Sequence, residues 1–444
     1  MLYLFYNYFK LGFSLWNIDI NNKSHMDKLY NNIVSSGSTI IKMVQWMIPI
    51  LEIKYNITSK TKKPYWLHKL ENLYDNCNYH SDDYTKVVYL KSFGENFDDS
   101  YEIEEVLSSG SMGGTYKIKS KWDQREYCMK VVHPNINYEI NILNYLFKIP
   151  IIQKLFHKII PISLVSFFDK FKDQVDMVKE SNNILKFKEL YRENVLLHIP
   201  EVYKVSSKVL IMEYIQSQKL ENCDNLSQFK KEKLISYLYL FVRNNNLYNF
   251  NHGDIHKGNW GVSLDQKRIV IYDMGLCWSI NREKHQYLLK LTDLFNTNYA
   301  SDDKIFLKLA TIFSGLLSSE IDNDEFVKHA HGELSNNKLS KVDFNSIYYI
   351  LICHFIHKGL TIDYNAFCGL IVVFQTHKLF EEYNCLAEKK FDEWIHTTVK
   401  QLYDISEAYN IFPYFRDYYK KDIQSIEHNT EIYDIIRDKL KVNY

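Results

Sequence analysis

The chain has 444 residues, of which 46% are hydrophobic and 24% charged, and its 54 basic residues balance 54 acidic ones for a formal charge of zero. That length allows one large two-part body or two domains, with enough apolar material for a substantial core. The charge balance excludes the basic footprint of a nucleic-acid binder.

Taken in chain order, Met1 to Trp16 is aromatic and apolar but has neither a basic leading stretch nor a small-residue cleavage site. The first arginine is Arg125, which argues against an Arg-rich presequence. Residues 1 to about 100 mix apolar periodic stretches with Asn/Lys/Asp-rich breaks and read as a mostly helical extension. The two most apolar stretches are Ile40 to Leu51 and Ile149 to Phe168. Polar residues and prolines interrupt both, so neither offers the ~20 apolar residues of a membrane span. The expected location is cytoplasmic or at the periphery of a membrane. Seven scattered cysteines (77, 128, 223, 277, 353, 368, 385) form no CxxC pair and read as reduced thiols.

From Tyr101 the texture changes. Tyr101 to Leu107, Gly114 to Ser120 and Glu126 to Val132 predict three strands. Between the first two lies Leu107-Ser-Ser-Gly110-Ser-Met-Gly113-Gly-Thr115, a candidate phosphate loop. Glycines let backbone approach phosphate oxygens, so Ser109, Gly110, Ser111 and Gly113 are its candidate nucleotide contacts. Lys130 ends the third strand where a phosphate-binding lysine is expected, and burying it requires a partner. Residues 138 to 147 and 173 to 193 have helical spacing, and Glu180 in the second helix is the candidate partner. Glu201 to Tyr214 reads as strand, with backbone near Glu213 placed to meet an adenine ring. Beyond Leu220 nearly everything reads as helix.

The exception carries the chemistry. His252-Gly-Asp254-Ile-His-Lys-Gly-Asn259 is followed by a short β-branched run, Arg268 to Tyr272, and then Asp273-Met-Gly275. Phosphoryl transfer needs one carboxylate near the acceptor and hard oxygen ligands for Mg2+ on the nucleotide phosphates. Asp254 fits the first role, while Asn259 and Asp273 fit the second. ATP and Mg2+ are therefore the expected cofactors. Strands first, helices afterwards, and acidic loops at the junction predict an α+β, bilobal protein-kinase-like fold. The expected organisation is an N-terminal helical extension (1–100), a β-rich N-lobe with a helical insertion at about 138–195 (101–215), and a helical C-lobe (216–444).

Six blocks in order resemble the UbiB/ADCK (aarF-domain) family of atypical kinases, over roughly Ser36 to Gly315. Gly37 to Gln45 is similar to the family's KxGQ block, with Val44 in the Gly place. Leu107 to Tyr116 lies where the family has an alanine-rich loop, and Lys130 to Ile136 resembles its VKVQRPGI run. Gln174-Val-Asp176, then Glu180 and Asn183, falls on its ExD segment, with Gln174 replacing the first carboxylate. Pro200 to Tyr214 resembles its P-x-V-Y and M-E block. HGDIHKGN is similar to HxDxHPGN, with Lys257 in place of Pro.

The resemblance implies that the extension carrying Lys42 and Gln45 folds over the active site, on the side where a protein substrate would dock. It also implies that Asp176 positions metal or that extension. The implied activity is an ATPase or small-molecule or lipid kinase linked to isoprenoid-quinone or membrane-lipid metabolism, with a lipid or prenylated small molecule as partner. Ile149 to Phe168 is then either a membrane-facing helix pair or buried core. A serine/threonine-type protein kinase is the alternative, and a nucleotide-binding pseudokinase scaffold the third reading. Against the protein kinase, no proline lies between Pro200 and Pro413, so no A-P-E element exists there, and Gly253 replaces the arginine that would bind an activation-loop phosphate.

Overall fold

The computed structural model of the protein describes residues 2–16, 18–55, 57, 62–74, 80–158, 160–191, 194, 196–223, 225–265, 268–295, 303–318, 323–336 and 344–383. Six helices open the chain: α1 (Leu2–Trp16), α2 (Lys23–Ser35), α3 (Ser38–Lys54), α4 (Tyr65–Glu71), α5 (Asp82–Phe93) and α6 (Phe97–Ser100). Asn22 caps α2 by accepting the amides of Ser24 and His25, and Ser81 caps α5 through the amide of Tyr84. α1 buries Asn7 beside Leu11 and leaves most of its aromatic side chains exposed. Asn7, 3% exposed, donates to the Ser35 carbonyl at 2.6 Å, while Phe9 and Trp16 are 75% and 85% exposed.

The strands β1 (Tyr101–Ser109), β2 (Gly113–Ser120) and β3 (Glu126–Val132) lead into α7 (Ile136–Leu146), α8 (Pro150–His157), α9 (Leu164–Asp173) and α10 (Met177–Leu190). Short strands β4 (Leu197–His198), β5 (Val202–Val205), β6 (Val209–Glu213) and β7 (Ser217–Gln218) follow. The predicted strand over 201–214 is thus two strands. The Ser206 hydroxyl accepts the amides of Lys208 and Val209 and turns the chain between them.

After α11 (Gln228–Leu247) come β8 (Asn251–His252), β9 (Trp260–Ser263), β10 (Ile269–Ile271) and β11 (Cys277–Trp278). The helices α12 (Arg282–Phe295), α13 (Asp303–Ser314), α14 (Asn323–Asn336), α15 (Phe344–Lys358) and α16 (Tyr364–Glu382) complete the described chain. The expected helices beyond 383, with Cys385, lie outside the described residues, as does Cys77; the other five cysteines are free thiols.

β1-β2-β3-β6-β5 form an antiparallel sheet, and β4-β10-β9-β7 and β11-β8 form two smaller ones. In the sheet's interior strands β3 and β6, successive residues alternate between two buried faces. Tyr116, Ile118, Met129, Val131, Val209 and Ile211 pack with Val88 and Tyr89 of α5 and with Phe97. Cys128, Val132, Leu210 and Met212 belong to the larger core on the other face. Lys130 shares that second register, and this alternation turns it towards α10.

Ile149 to Phe168 is broken at Pro161 into α8 and α9, whose Phe156, Leu164, Phe167 and Phe168 are buried, while Ile151 and Leu155 are exposed. Among the described residues, no helix is long and apolar enough to cross a membrane.

Candidate active site

Lys130 leaves β3 in a buried setting and pairs with Glu180, its Nζ 2.5 Å from Oε1. Glu180 reaches this position because Asp176 caps α10 by accepting the Val178 amide, which sets Glu180 in the buried first turn. Asp273 lies 3.4 Å from the same ammonium. Burial alone would lower the Lys130 ammonium, but Asp273 and Glu180 outweigh it and hold the pKa above the ordinary lysine value. Burial likewise pushes the Glu180 carboxyl up while Lys130 pulls it back.

Two local pairings assemble the acidic loops. β9 and β10 form a hairpin with Ile271 opposite Trp260, so Tyr272 donates its amide to the Asn259 carbonyl at 3.0 Å. Asn259 and Asp273 therefore flank the same hairpin end. β8 pairs with β11, and Gly253 donates to the Leu276 carbonyl at 2.8 Å. A Cβ on residue 253 would fall 2.8 Å from the Leu276 side chain and 3.0 Å from Trp278, so no arginine fits there. His252 joins the two loops. Its Nδ1 accepts the Asp254 amide at 3.1 Å, and its Nε2–H donates to the Asp273 carbonyl. Burial lowers its pKa, and this bonding suits the neutral ring.

Lys42, from the second turn of α3, places Nζ 2.6 Å from Asp254 Oδ2, and His256 lies 3.7 Å from the same oxygen. Burial raises the Asp254 carboxyl, but Lys42 and His256 overcome it and hold the pKa below the ordinary aspartate value. For Asp273, burial also raises the carboxyl, and Lys130 and then Lys42 reverse it to a lowered pKa. Gln45, one turn on, accepts the Ser111 hydroxyl at 3.0 Å and donates to the Leu73 carbonyl at 2.6 Å. Val44, at the family's Gly position, lies inside continuous helix, where a β-branched residue needs no positive φ.

Lys42, Gln45, Gly110, Ser111, Gly113, Lys130, Gln174, Glu180, Asp254, Asn259 and Asp273 all line one cavity of about 140 Å3. Three sequence candidates are not among its lining. Ser109 belongs to β1, 1% exposed, and faces His133 at 3.4 Å. Asp176 is occupied as a helix cap. Glu213 receives His198 at 3.0 Å and the Glu201 amide at 3.2 Å. Gly113 has a structural reason as well, since a Cβ there would come 2.5 Å from the Val131 carbonyl across the β2–β3 ladder.

Sequence reasoning missed several residues of the site. His133 Nε2 meets the Gly110 carbonyl at 2.9 Å and tethers the glycine turn. Tyr74 lines the cavity and donates to the Gln45 carbonyl at 2.9 Å. Glu139 of α7 accepts the Thr39 amide at 3.0 Å and the Thr39 hydroxyl at 2.9 Å, capping the helix that carries Lys42. Its one sequence signal was position: an acid three residues from Ile136 and four from Leu143, on the buried face of an apolar helix.

Hard oxygen donors in this cavity suit Mg2+, which takes one or two protein carboxylates and completes its shell with phosphates and water. The Asn259 Nδ2 donates to the Asp254 carbonyl at 2.8 Å, so its Oδ1 is the atom that could hold a metal.

The profile of the ABC1 atypical kinase-like domain matches residues 72–305. The chain belongs to the ABC1 atypical kinase-like family. ABC1 relatives include the "Probable protein kinase UbiB" of Pasteurella multocida (strain Pm70), 25% identical over 227 residues, covering 48% of this chain and 43% of the relative. That of Enterobacter sp. (strain 638) is 23% identical over 275 residues, covering 57% and 48%. The chain thus spans less than half the length of these ABC1 relatives. A solved structure titled as the complex of Rv3197 with erythromycin, from Mycobacterium tuberculosis, is 15% identical, covers 67% of this chain and 80% of that one, and superposes with a TM-score of 0.44. The mixed helical and sheet content is that of a kinase-like ABC1 domain.

Proposed function

We propose that this chain is an ATP- and Mg2+-dependent atypical kinase or ATPase that acts in lipid or isoprenoid-quinone metabolism. The observation that carries the proposal is one cavity in which Lys130 joins Glu180 to Asp273, with Asn259 and Asp254 alongside. The five-stranded sheet serves as the N-lobe (101–215, with α7–α10 as the insertion), the chain from 216 as the C-lobe, and residues 1–100 as the extension.

In this reading Lys130 holds the α and β phosphates and Glu180 positions it, while the backbone at Gly110 and Gly113 covers the phosphate chain. Asp273 and Asn259 are the metal-holding residues, and a bound Mg2+ would supply charge neutralisation on the phosphates. Asp254 receives the acceptor's proton once Lys42 releases it. A cavity of about 140 Å3 is below the ~300 Å3 at which small-molecule sites begin, so nucleotide entry requires its walls to part. The outward aromatic side of α1 supports contact with a lipid surface, because Tyr and Trp settle at the boundary between lipid and water.

The purified full chain should release phosphate from Mg2+-ATP slowly and transfer none to casein. Lys42→Ala should bind Mg2+-ATP several-fold more tightly, because it frees Asp254 and the cavity mouth. Rapid phosphorylation of casein by the intact chain would promote the protein-kinase alternative. Binding without hydrolysis, with or without lipid vesicles, would promote the pseudokinase one.

A further inference from the structure

The glycine turn between β1 and β2 is held by side chains that do not themselves line the nucleotide cavity. His133, just past β3, holds it twice: its amide donates to the Met112 carbonyl at 3.0 Å, and its ring Nε2 meets the Gly110 carbonyl at 2.9 Å. The other ring nitrogen, Nδ1, lies 2.6 Å from Nδ1 of His80. His80 immediately precedes Ser81, the cap of α5, and its Nε2 lies 2.9 Å from the Thr85 hydroxyl and 3.0 Å from that of Tyr116. We propose that His80 and His133 are positioning residues for the phosphate loop, and that their protonation in mild acid releases it and weakens nucleotide binding. The inference rests on the reading of Gly110 and Gly113 as phosphate contacts and adds a regulation to it.

Bonding fixes where the protons sit. A backbone carbonyl only accepts, so His133 carries its proton on Nε2 and its Nδ1 accepts. His80 must then carry its proton on Nδ1, and its Nε2 accepts. The Thr85 hydroxyl donates to the Tyr116 oxygen at 3.0 Å, and the Tyr116 O–H donates on to His80. The result is one directional run, Thr85 to Tyr116 to His80 to His133 to Gly110, and it is complete with two neutral rings. One extra proton has a single place, His80 Nε2, where it would force the Tyr116 O–H to turn away. A second would set two N–H groups against each other across the 2.6 Å gap.

The surroundings oppose added charge. Thr85, Tyr116, Ser109 and His133 are all buried. The groups that face the pair are the Tyr84 ring edge and Thr85 from α5, Tyr116 from β2, Ser109 from β1, and each imidazole the other. Among the described residues no carboxylate pairs with either ring. Burial, and then His133, lower His80 to about 4, and burial lowers His133 as well, against the opposing pull of its bond to Gly110. A ring released into water titrates near ~6.5. The held arrangement is therefore fully favoured above that value and loses ground as the pH falls through it towards the folded values. At about pH 5.5, a single histidine that is neutral when held and able to charge when released favours release about tenfold over about pH 7.5.

Amide hydrogen exchange on the full chain without nucleotide reads release directly. Between about pH 7.5 and about pH 5.5, a range above the one in which Asp254 and Asp273 take up protons, opening of residues 108–116 should rise about tenfold once intrinsic exchange rates are divided out. Residues 209–213 of β6 in the same molecule should not change. The double variant His80→Asn/His133→Gln keeps an amide donor at each bonded position but has nothing to titrate, so its loop should open equally at both pH values. A melting curve shows whether that variant folds, and the β6 comparison within the wild type decides if it does not. Over the same range the wild-type affinity for Mg2+-ATP should fall severalfold relative to that of the variant. Loop opening that ignores pH, opening that changes as much in the variant, or a wild-type affinity that follows the variant's at both pH values would overturn the proposal. Failure of Mg2+-ATP to bind at either pH would instead overturn the nucleotide reading, and the exchange result would then decide the release of the loop by itself.

Discussion

Glu139 and Thr39, 100 residues apart, are joined twice: one carboxylate oxygen accepts both the Thr39 amide and its hydroxyl. Gly37 precedes this helix start at φ 97°, and a Cβ there would lie 2.6 Å from Glu139 Oε1. The carboxylate thus stands where a helix N-terminus is most receptive to negative charge.

Glu139→Ala should destabilise the protein by about 1–2 kcal/mol, the usual value of an N-terminal cap. Amide hydrogen exchange should accelerate in residues 38–45 more than in the five-stranded sheet. Gly37→Ala should have the same local signature, because it both strains the backbone and displaces the carboxylate. Uniform acceleration across the chain would mean that the cap does not act on α3 specifically.

Lys130→Met should cost about 3–5 kcal/mol, because Glu180 then loses its buried partner. The double variant Lys130→Met/Glu180→Gln should recover part of that loss. A denaturant double-mutant cycle reads the coupling directly. Additive losses would show that the two side chains do not support each other.

Asp273→Asn should abolish Mg2+-dependent nucleotide binding, since a neutral amide is a poor hard-cation ligand. Asp254→Asn should keep nucleotide affinity while lowering turnover. Isothermal titration with Mg2+-ATP separates the two, and equal loss of affinity in both variants would contradict the division of roles.

Asp254 and Asp273 both have lowered pKa values in the folded protein. Their stabilising contribution is therefore present above the ordinary aspartate pKa of ~3.9 and is lost as pH falls through the folded values. Urea midpoints should drop progressively as the pH is taken below about 5. Asp254→Asn should flatten part of that slope, because an asparagine has no carboxylate to take up a proton as the pH falls.

The residues that could be read from the sequence were those whose chemistry is declared by short spacing. Asp254, Asn259 and Asp273 lie within one loop–strand–loop stretch, and Lys130 is the one charged residue in the apolar run from Tyr127 to Val132. What short spacing does not carry is which partners distant in sequence meet, and for Lys42 only the family resemblance pointed to the active site. Lys42 meets Asp254 across 212 residues, and Glu139 meets Thr39 across 100. Ser109 was assigned to the phosphate loop because the strand pattern fades at Leu107, yet ladder pairing carries β1 on to Ser109 opposite Gly114. No local periodicity encodes where a ladder stops.

The contact between Lys378 of α16 and Glu52 of α3 spans 326 residues of chain. Contacts that close such long loops form late, after the local helices and the sheet have repaid their own entropy. A ribosome building this protein releases Glu52 of α3 326 residues before Lys378. The helix that carries Lys42 must therefore wait, already synthesised, until almost the whole described chain has emerged. The five-stranded sheet can fold in the meantime, and α3 gains its contact with α16 only once Lys378 has emerged.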